Sequence, residues 1–266
     1  MNILAINGSH RGERGITYTF LKQIEKGVID SNSTFKIINL VHKNIYHCIG
    51  CESCHPSEKS DRYLKCMNHD KDDMASILKE IEAADAIIFA TPVYIFQMSV
   101  FMKNFLDRYY GTSDVNHFAA SNEGLFFHHI PDEFKKPFYL LTTYCSLEYL
   151  AAKNIVEYFN IYSRFMDAPF YGRLVRGECS VISITDIKTS KIKQELYDNF
   201  YKVGLEIGKR KKLKKGLEKK ITKSVIPFSK IVLLLLKVKF FRKFILDMLL
   251  KASKHEGTVE DNGLSL

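Results

Sequence analysis

Five short apolar runs, near residues 2–6, 35–40, 86–90, 137–143 and 169–175, are separated by segments whose apolar residues recur with helical period. An unbroken apolar run of this length marks a strand covered on both faces. Strands alternating with helices build a parallel sheet between two helical layers. Helices are expected near 16–30, 71–83, 98–109, 147–162 and 189–208. Right-handed crossovers then give an α/β doubly wound five-stranded sheet of order 2-1-3-4-5. Ligands of such sheets bind beyond the carboxyl ends of the strands, so the residues after the first, third and fourth strands matter most. At 266 residues the chain is long enough for one such domain and an appendage.

Two segments break the alternation. Residues 41–70 hold a cysteine cluster, and residues 110–135 hold Gly111, His117, Gly124, His128 and His129. Loops of this length act as caps or interfaces, or else carry no order.

The first strand runs into Asn7-Gly8-Ser9-His10-Arg11-Gly12-Glu13-Arg14-Gly15-Ile16-Thr17, which opens a helix. Such a loop aims backbone N–H groups and hydroxyls at one point, where the helix start already favours an anion. Ser9 and Thr17 can donate to phosphate oxygens and Arg11 can neutralise their charge. No Gly-Lys-Ser/Thr follows and the dinucleotide glycine spacing is missing, so a monophosphate fits best. The plainer alternative is a turn and a helix cap.

After the third strand comes Thr91-Pro92-Val93-Tyr94-Ile95-Phe96-Gln97-Met98-Ser99, then Lys103-Asn104-Phe105-Leu106-Asp107-Arg108. Pro92 fixes a turn, and Val93, Tyr94 and nearby amides can form an apolar shelf with donors for a flat heteroaromatic ring. A strand end packed on the next helix is the competing reading. With Gly8 to Arg11, Cys48 to Cys54, Asp72-Asp73-Met74, Thr91 to Tyr94 and Lys103 to Arg108 in this order, the chain resembles the NAD(P)H-dependent FMN reductase and iron–sulfur flavoprotein family. The resemblance spans roughly residues 1–175 and implies a flavodoxin-like fold. It implies FMN phosphate at Ser9, Arg11 and Thr17, the ring at Pro92, Val93 and Tyr94, and further contacts at Thr143 and Tyr144. It also implies electron transfer from NAD(P)H to a small-molecule or protein acceptor, and a homodimer or higher homo-oligomer with residues 110–135 as a candidate contact. The chemistry would be the cofactor's own, so no catalytic acid or base is expected.

Cys48, Cys51, Cys54 and Cys66 supply four thiolates, enough for a [4Fe–4S] cluster or a tetrahedral zinc, with His55 or His69 as substitute zinc ligands. Unligated thiols are the third option. Cys145 and Cys179 are expected to be ordinary buried residues. A non-enzymatic electron carrier or redox sensor using FMN and these cysteines is the alternative to an enzyme, and a membrane-recruited adaptor that has lost catalysis is a third.

The net charge of +9 is unevenly placed: residues 207–254 carry 16 Lys/Arg against two acids, leaving the remainder acidic. Residues 1–208 are therefore expected to form the domain and 209–266 a basic amphipathic tail. Ile231, Leu234, Val238, Phe241, Ile245 and Met248 follow heptad-like spacing, expected to form one continuous helical seam. Lys237, Lys239, Arg242, Lys243 and Asp247 argue against a bilayer span. The seam would pack on the body or a partner subunit, or lie on an anionic membrane surface; nucleic acid is the weakest candidate. Met1 leads straight into the first strand with no secretory leader, and the expected location is cytoplasmic, peripheral to the inner face of the membrane if the tail binds there.

Overall fold

A computed structural model describes residues 1–56, 58–61, 63–120, 126–184, 191–209, 212–225, 231 and 234–244. Along the chain run β1 (Asn2–Asn7), α1 (Ile16–Asp30), β2 (Thr34–Asn39), α2 (Met74–Ala83), β3 (Ala86–Tyr94), β4 (Gln97–Met98), α3 (Val100–Tyr109) and β5 (Asp114–Ala120). There follow β6 (Phe126–His129), β7 (Phe138–Thr143), α4 (Leu150–Phe165), β8 (Phe170–Arg176), α5 (Cys179–Ile184), α6 (Lys191–Ile207) and α7 (Lys215–Thr222). The main sheet has the order β2-β1-β3-β7-β8, all parallel, with β4 folded back antiparallel on β3. Counting the five parallel strands alone, this is the expected 2-1-3-4-5.

The alternation of side chains along each strand explains why the central runs are apolar throughout. Leu4, Ile6, Ile87 and Phe89 enter one core with α2, α3 and α4, while Ile3, Ala5, Ala86 and Ile88 enter the other with α1 and α6. Burying each such Ile or Phe contributes about 1.5–3 kcal/mol. On the second face α1 and α6 lie unusually close, because both contribute a glycine at the crossing. A Cβ on Gly27 would fall on the Tyr201 carbonyl oxygen, and one on Gly204 on that of Ile24.

Three features depart from the expected layout. Residues 110–135 contain a β-hairpin, β5 paired antiparallel with β6, rather than a plain loop. Residues 212–225 pack onto the body beyond the boundary expected at 208: Leu213 and Ile221 are buried, and Leu213 N–H donates to Tyr171 O at 2.7 Å. Buried Arg176 also donates to the Ile221 and Lys223 carbonyls, and Glu178 accepts from Val225 N–H and the Ser224 hydroxyl. The expected continuous helix of the tail is broken among the described residues, with turns at 236–237 before helix resumes at 239. Ile231, Leu234, Val238 and Phe241 are exposed there, while Gly124, Ile245 and Met248 lie outside the described residues. No helix among the described residues is long and apolar enough to cross a membrane.

Candidate functional site

Parallel pairing brings three loops to one place at the carboxyl edge of the sheet. Asn7 pairs with Ala90, Gly8 N–H donates to Ala90 O at 2.8 Å, and Pro92 pairs with Thr143. The Thr17 and Thr143 hydroxyls meet at 2.8 Å, tying the start of α1 to the end of β7. Ser9, Thr17, Pro92 and Thr143 therefore gather beside β1 and β3, where the winding of the sheet reverses and sheets of this kind form their ligand crevice.

The first loop is shaped for an anion. Ser9 and Thr17 are buried, and Arg11 N–H donates to Ser9 Oγ at 3.3 Å, while the Arg11 side chain is exposed. Gly12 takes φ +50°, which glycine adopts without the penalty of a side chain. Gly15 occupies the N-cap of α1, and the helix has neither a side-chain cap nor an acidic residue in its first turn. Its first N–H groups thus point outward with their partial positive charge unopposed. A Cβ on Gly15 would stand 2.7 Å from Ser9 Oγ and 3.3 Å from Arg11 Cβ, filling the cradle. This donor set fits a phosphate.

Beyond Thr91, β3 turns through Ile95 and Phe96, both in the left-handed region at φ 47° and 62°. For a β-branched residue such as Ile95 this costs on the order of 1–3 kcal/mol. The turn is held from behind, where Thr91 Oγ1 accepts from Ser99 N–H at 3.0 Å and Ser99 Oγ caps α3 by accepting from Met102 N–H at 3.2 Å. The result exposes Tyr94, Ile95 and Phe96 while Val93 stays half-buried, an apolar shelf next to the anion loop. His10, which residue type and spacing did not single out, leans on Tyr94 at 5.0 Å and on Phe101 at 4.6 Å between ring centres. Its position directly after Ser9 was the available signal. Tyr144 follows Thr143 but is buried, its ring lying over Gly177, and burial pushes its phenol up to about 12.

The Asp72-Asp73-Met74 and Lys103–Arg108 motifs serve the cysteine loop. Asp72 accepts from Tyr46 N–H at 2.9 Å and pairs with Arg108 at 2.5 Å, both side chains being fully buried. Arg108 also donates to Tyr46 O, Asp73 accepts from Asn44 N–H, and Asn104 donates to Ile45 O. The segment leading into Cys48 is thus fixed on both sides. Cys66 lies against the Arg108 guanidinium.

Cys48 and Cys51 are exposed, and Cys54 and Cys66 half-buried. Tetrahedral zinc would hold its sulfurs about 3.8 Å apart, since each Zn–S bond is about 2.3 Å. Among the described residues, the group of three donors drawn within 4.8 Å of one another is Glu58, Asp114 and His117, and not the cysteines. A cubane, with a separate iron for each thiolate, holds its ligands further apart. Burial and the neighbouring thiols push Cys54 up to about 11, whereas a hydrogen bond from the Ser53 hydroxyl at 3.3 Å holds Cys51 below its ordinary value. In metal-free protein at about pH 8, iodoacetamide should therefore alkylate Cys51 before Cys54, because the thiolate is the nucleophile. Peptide mass spectrometry would read the order, and Cys54 reacting first would contradict it. Cys179 is buried as expected, but Cys145 is exposed, because it lies just past the end of β7 rather than within the sheet.

Residues 1–122 match the NADPH-dependent FMN reductase family. An iron-sulfur flavoprotein of Archaeoglobus fulgidus is 33% identical over 108 residues, covering 41% of this chain and 48% of that protein. One of Methanocaldococcus jannaschii is 31% identical over 108 residues, covering 41% and 51%. The match thus spans about half the length of these curated relatives. Among solved structures, the FMN-dependent NADH-azoreductase of Bacillus anthracis in complex with FMN superposes with a TM-score of 0.52 at 14% identity, covering 79% of this chain and 98% of that one. At that identity the likeness shows the fold, which is flavodoxin-like.

Proposed function

We propose that this chain is an FMN-dependent oxidoreductase that takes electrons from NAD(P)H and passes them to a small-molecule or protein acceptor. The observation that carries the reading is the meeting of an uncapped helix start, two buried hydroxyls and an apolar shelf in one crevice. The family matched by residues 1–122 supports the same cofactor. Bound there, FMN would supply hydride acceptance and delivery of one or two electrons. The chain's own residues would do the positioning. Ser9, Thr17, Arg11 and the first N–H groups of α1 would hold the phosphate, Pro92, Val93 and Tyr94 would support the ring with Thr143 and Tyr144 behind, and Ile95 and Phe96 would exclude water.

Protein purified without air should be yellow, NADH or NADPH should bleach its flavin absorbance, and an added acceptor should restore the colour and sustain NAD(P)H oxidation. A colourless protein that takes up no FMN would overturn the proposal. Exposed Cys51, held below the usual thiol range, favours a second reading as an electron carrier or redox sensor, which predicts bleaching without sustained turnover.

Cys48, Cys51, Cys54 and Cys66 are proposed as ligands of a [4Fe–4S] cluster, a reading supported by the iron–sulfur flavoproteins to which the chain is similar. Exposed Ile95, Phe96 and Val100 support a homodimer contact beside the crevice. In the tail, exposed Phe240, Phe241 and Phe244 interleave with Lys237, Lys239, Arg242 and Lys243, which supports peripheral contact with an anionic membrane.

A further inference from the structure

The cysteine loop and the β5–β6 hairpin meet at a cluster that the flavin chemistry does not use. His117 Nδ1 lies 2.6 Å from Asp114 Oδ2 and 3.4 Å from Glu58 Oε1, and the donor atoms of all three residues fall within 4.8 Å of one another. Two donors sharing one ion stand about 2.8–3.6 Å apart, since each metal bond to N or O is about 2.0–2.2 Å long. The two His117 distances fall within a few tenths of an ångström of that range, and exposed Glu58 can close the remaining gap by rotating its side chain.

Asp114 is held in place before any ion arrives. Its side chain is buried, its Oδ1 accepts from Asn116 N–H at 2.9 Å, and the Tyr63 hydroxyl donates to its carboxylate. The strand register brings a second imidazole to the rim of the same cavity. Asp114 is paired with His129 across the hairpin, and His129 lines the same open cavity of about 480 Å³ as Glu58, Tyr63, Asp114 and His117. A ligand-bearing loop is thus set against a hairpin that carries one fixed carboxylate and two imidazoles. Asn116 Nδ2 also donates to Pro56 O at 3.3 Å, which joins the two segments next to Glu58.

We propose that Glu58, Asp114 and His117, with His129 at the rim of the same cavity, form a divalent metal site, distinct from the four cysteines, that fastens the cysteine loop to the β5–β6 hairpin. The donor set is nitrogen and oxygen only, which suits Mn²⁺, Fe²⁺ or Zn²⁺ rather than a thiophilic ion. The inference stands apart from the flavin reading, because none of these residues borders the crevice.

Mn²⁺ is the probe, since thiolates compete poorly for it. Loss of the free-ion EPR signal during titration of the full chain should report one saturable equivalent bound. Glu58→Gln and His117→Gln change exposed side chains and should each weaken binding at least about tenfold, with circular dichroism confirming an unchanged fold. Asp114→Asn should abolish binding, and Cys51→Ser should leave it intact. A rival arrangement, in which protonated His117 merely bridges two carboxylates, predicts no saturable uptake. That result, or equal binding by the Glu58 and His117 variants, would overturn the site.

Discussion

A double variant carrying Ser9→Ala and Thr17→Val should bind FMN at least about 100-fold more weakly than the parent, because each lost hydrogen bond to a charged group costs about 1.5–3 kcal/mol. Quenching of FMN fluorescence during titration gives the affinity. The two hydroxyls are buried beside the start of α1, so water cannot readily replace them. Thr17→Val keeps the side-chain shape but leaves the Thr143 hydroxyl without its 2.8 Å partner. Some loss of stability should therefore accompany the loss of flavin, on the order of 1–3 kcal/mol. Affinity equal to that of the parent would remove the anion role from this loop. The family match of residues 1–122 would then have to be explained by fold alone.

Gly204→Val should be the most damaging single change to the fold. Its Cβ would land on the Ile24 carbonyl and 2.9 Å from Gly27 Cα, against backbone that no side-chain rotation can clear. Forcing α1 and α6 apart separates a stacked pair, Phe20 and Phe200, whose ring centres lie 4.3 Å apart. Overpacking of this kind costs about 3 kcal/mol, which for a domain of this size lowers the melting temperature by about 6–12 °C. Gly216→Val is the matched control, because nothing lies within 4 Å of the Cβ it would add. Thermal melts of the two variants should differ by nearly the whole effect. A Gly204→Val protein that melted with the parent would mean the helices do not cross at these glycines.

The central strands were legible because burial on both faces forces an unbroken apolar run, as in Ile87-Ile88-Phe89-Ala90. Parallel register then carried Ser9, Thr17, Pro92 and Thr143 to one crevice with no further information. The α1–α6 crossing was not legible, since Gly27 and Gly204 stand far apart in the chain and carry no local signature of contact. Asp72 and Arg108 stood out as motif residues, yet their joint grip on Tyr46 depends on tertiary placement. The hairpin within 110–135 also escaped, because His117, His128 and His129 interrupt the apolar alternation that marks a strand. Composition misplaced the end of the body for a related reason. The lysines of 209–223 look like a solvated tail, but Leu213 and Ile221 among them are buried against the sheet.

The clasp between the last parallel strand and that lysine-rich stretch has a mechanical corollary. Arg176 and Glu178 grip residues 221–225, and Gly177 between them supports the ring of Tyr144, one residue past Thr143. Residues 221–225, where the chain leaves the body towards its basic end, are therefore firmly anchored. Two buried ionic side chains bolt this stretch to the wall behind the crevice proposed for the flavin, so the lysine-rich segment is part of the frame on which that crevice rests.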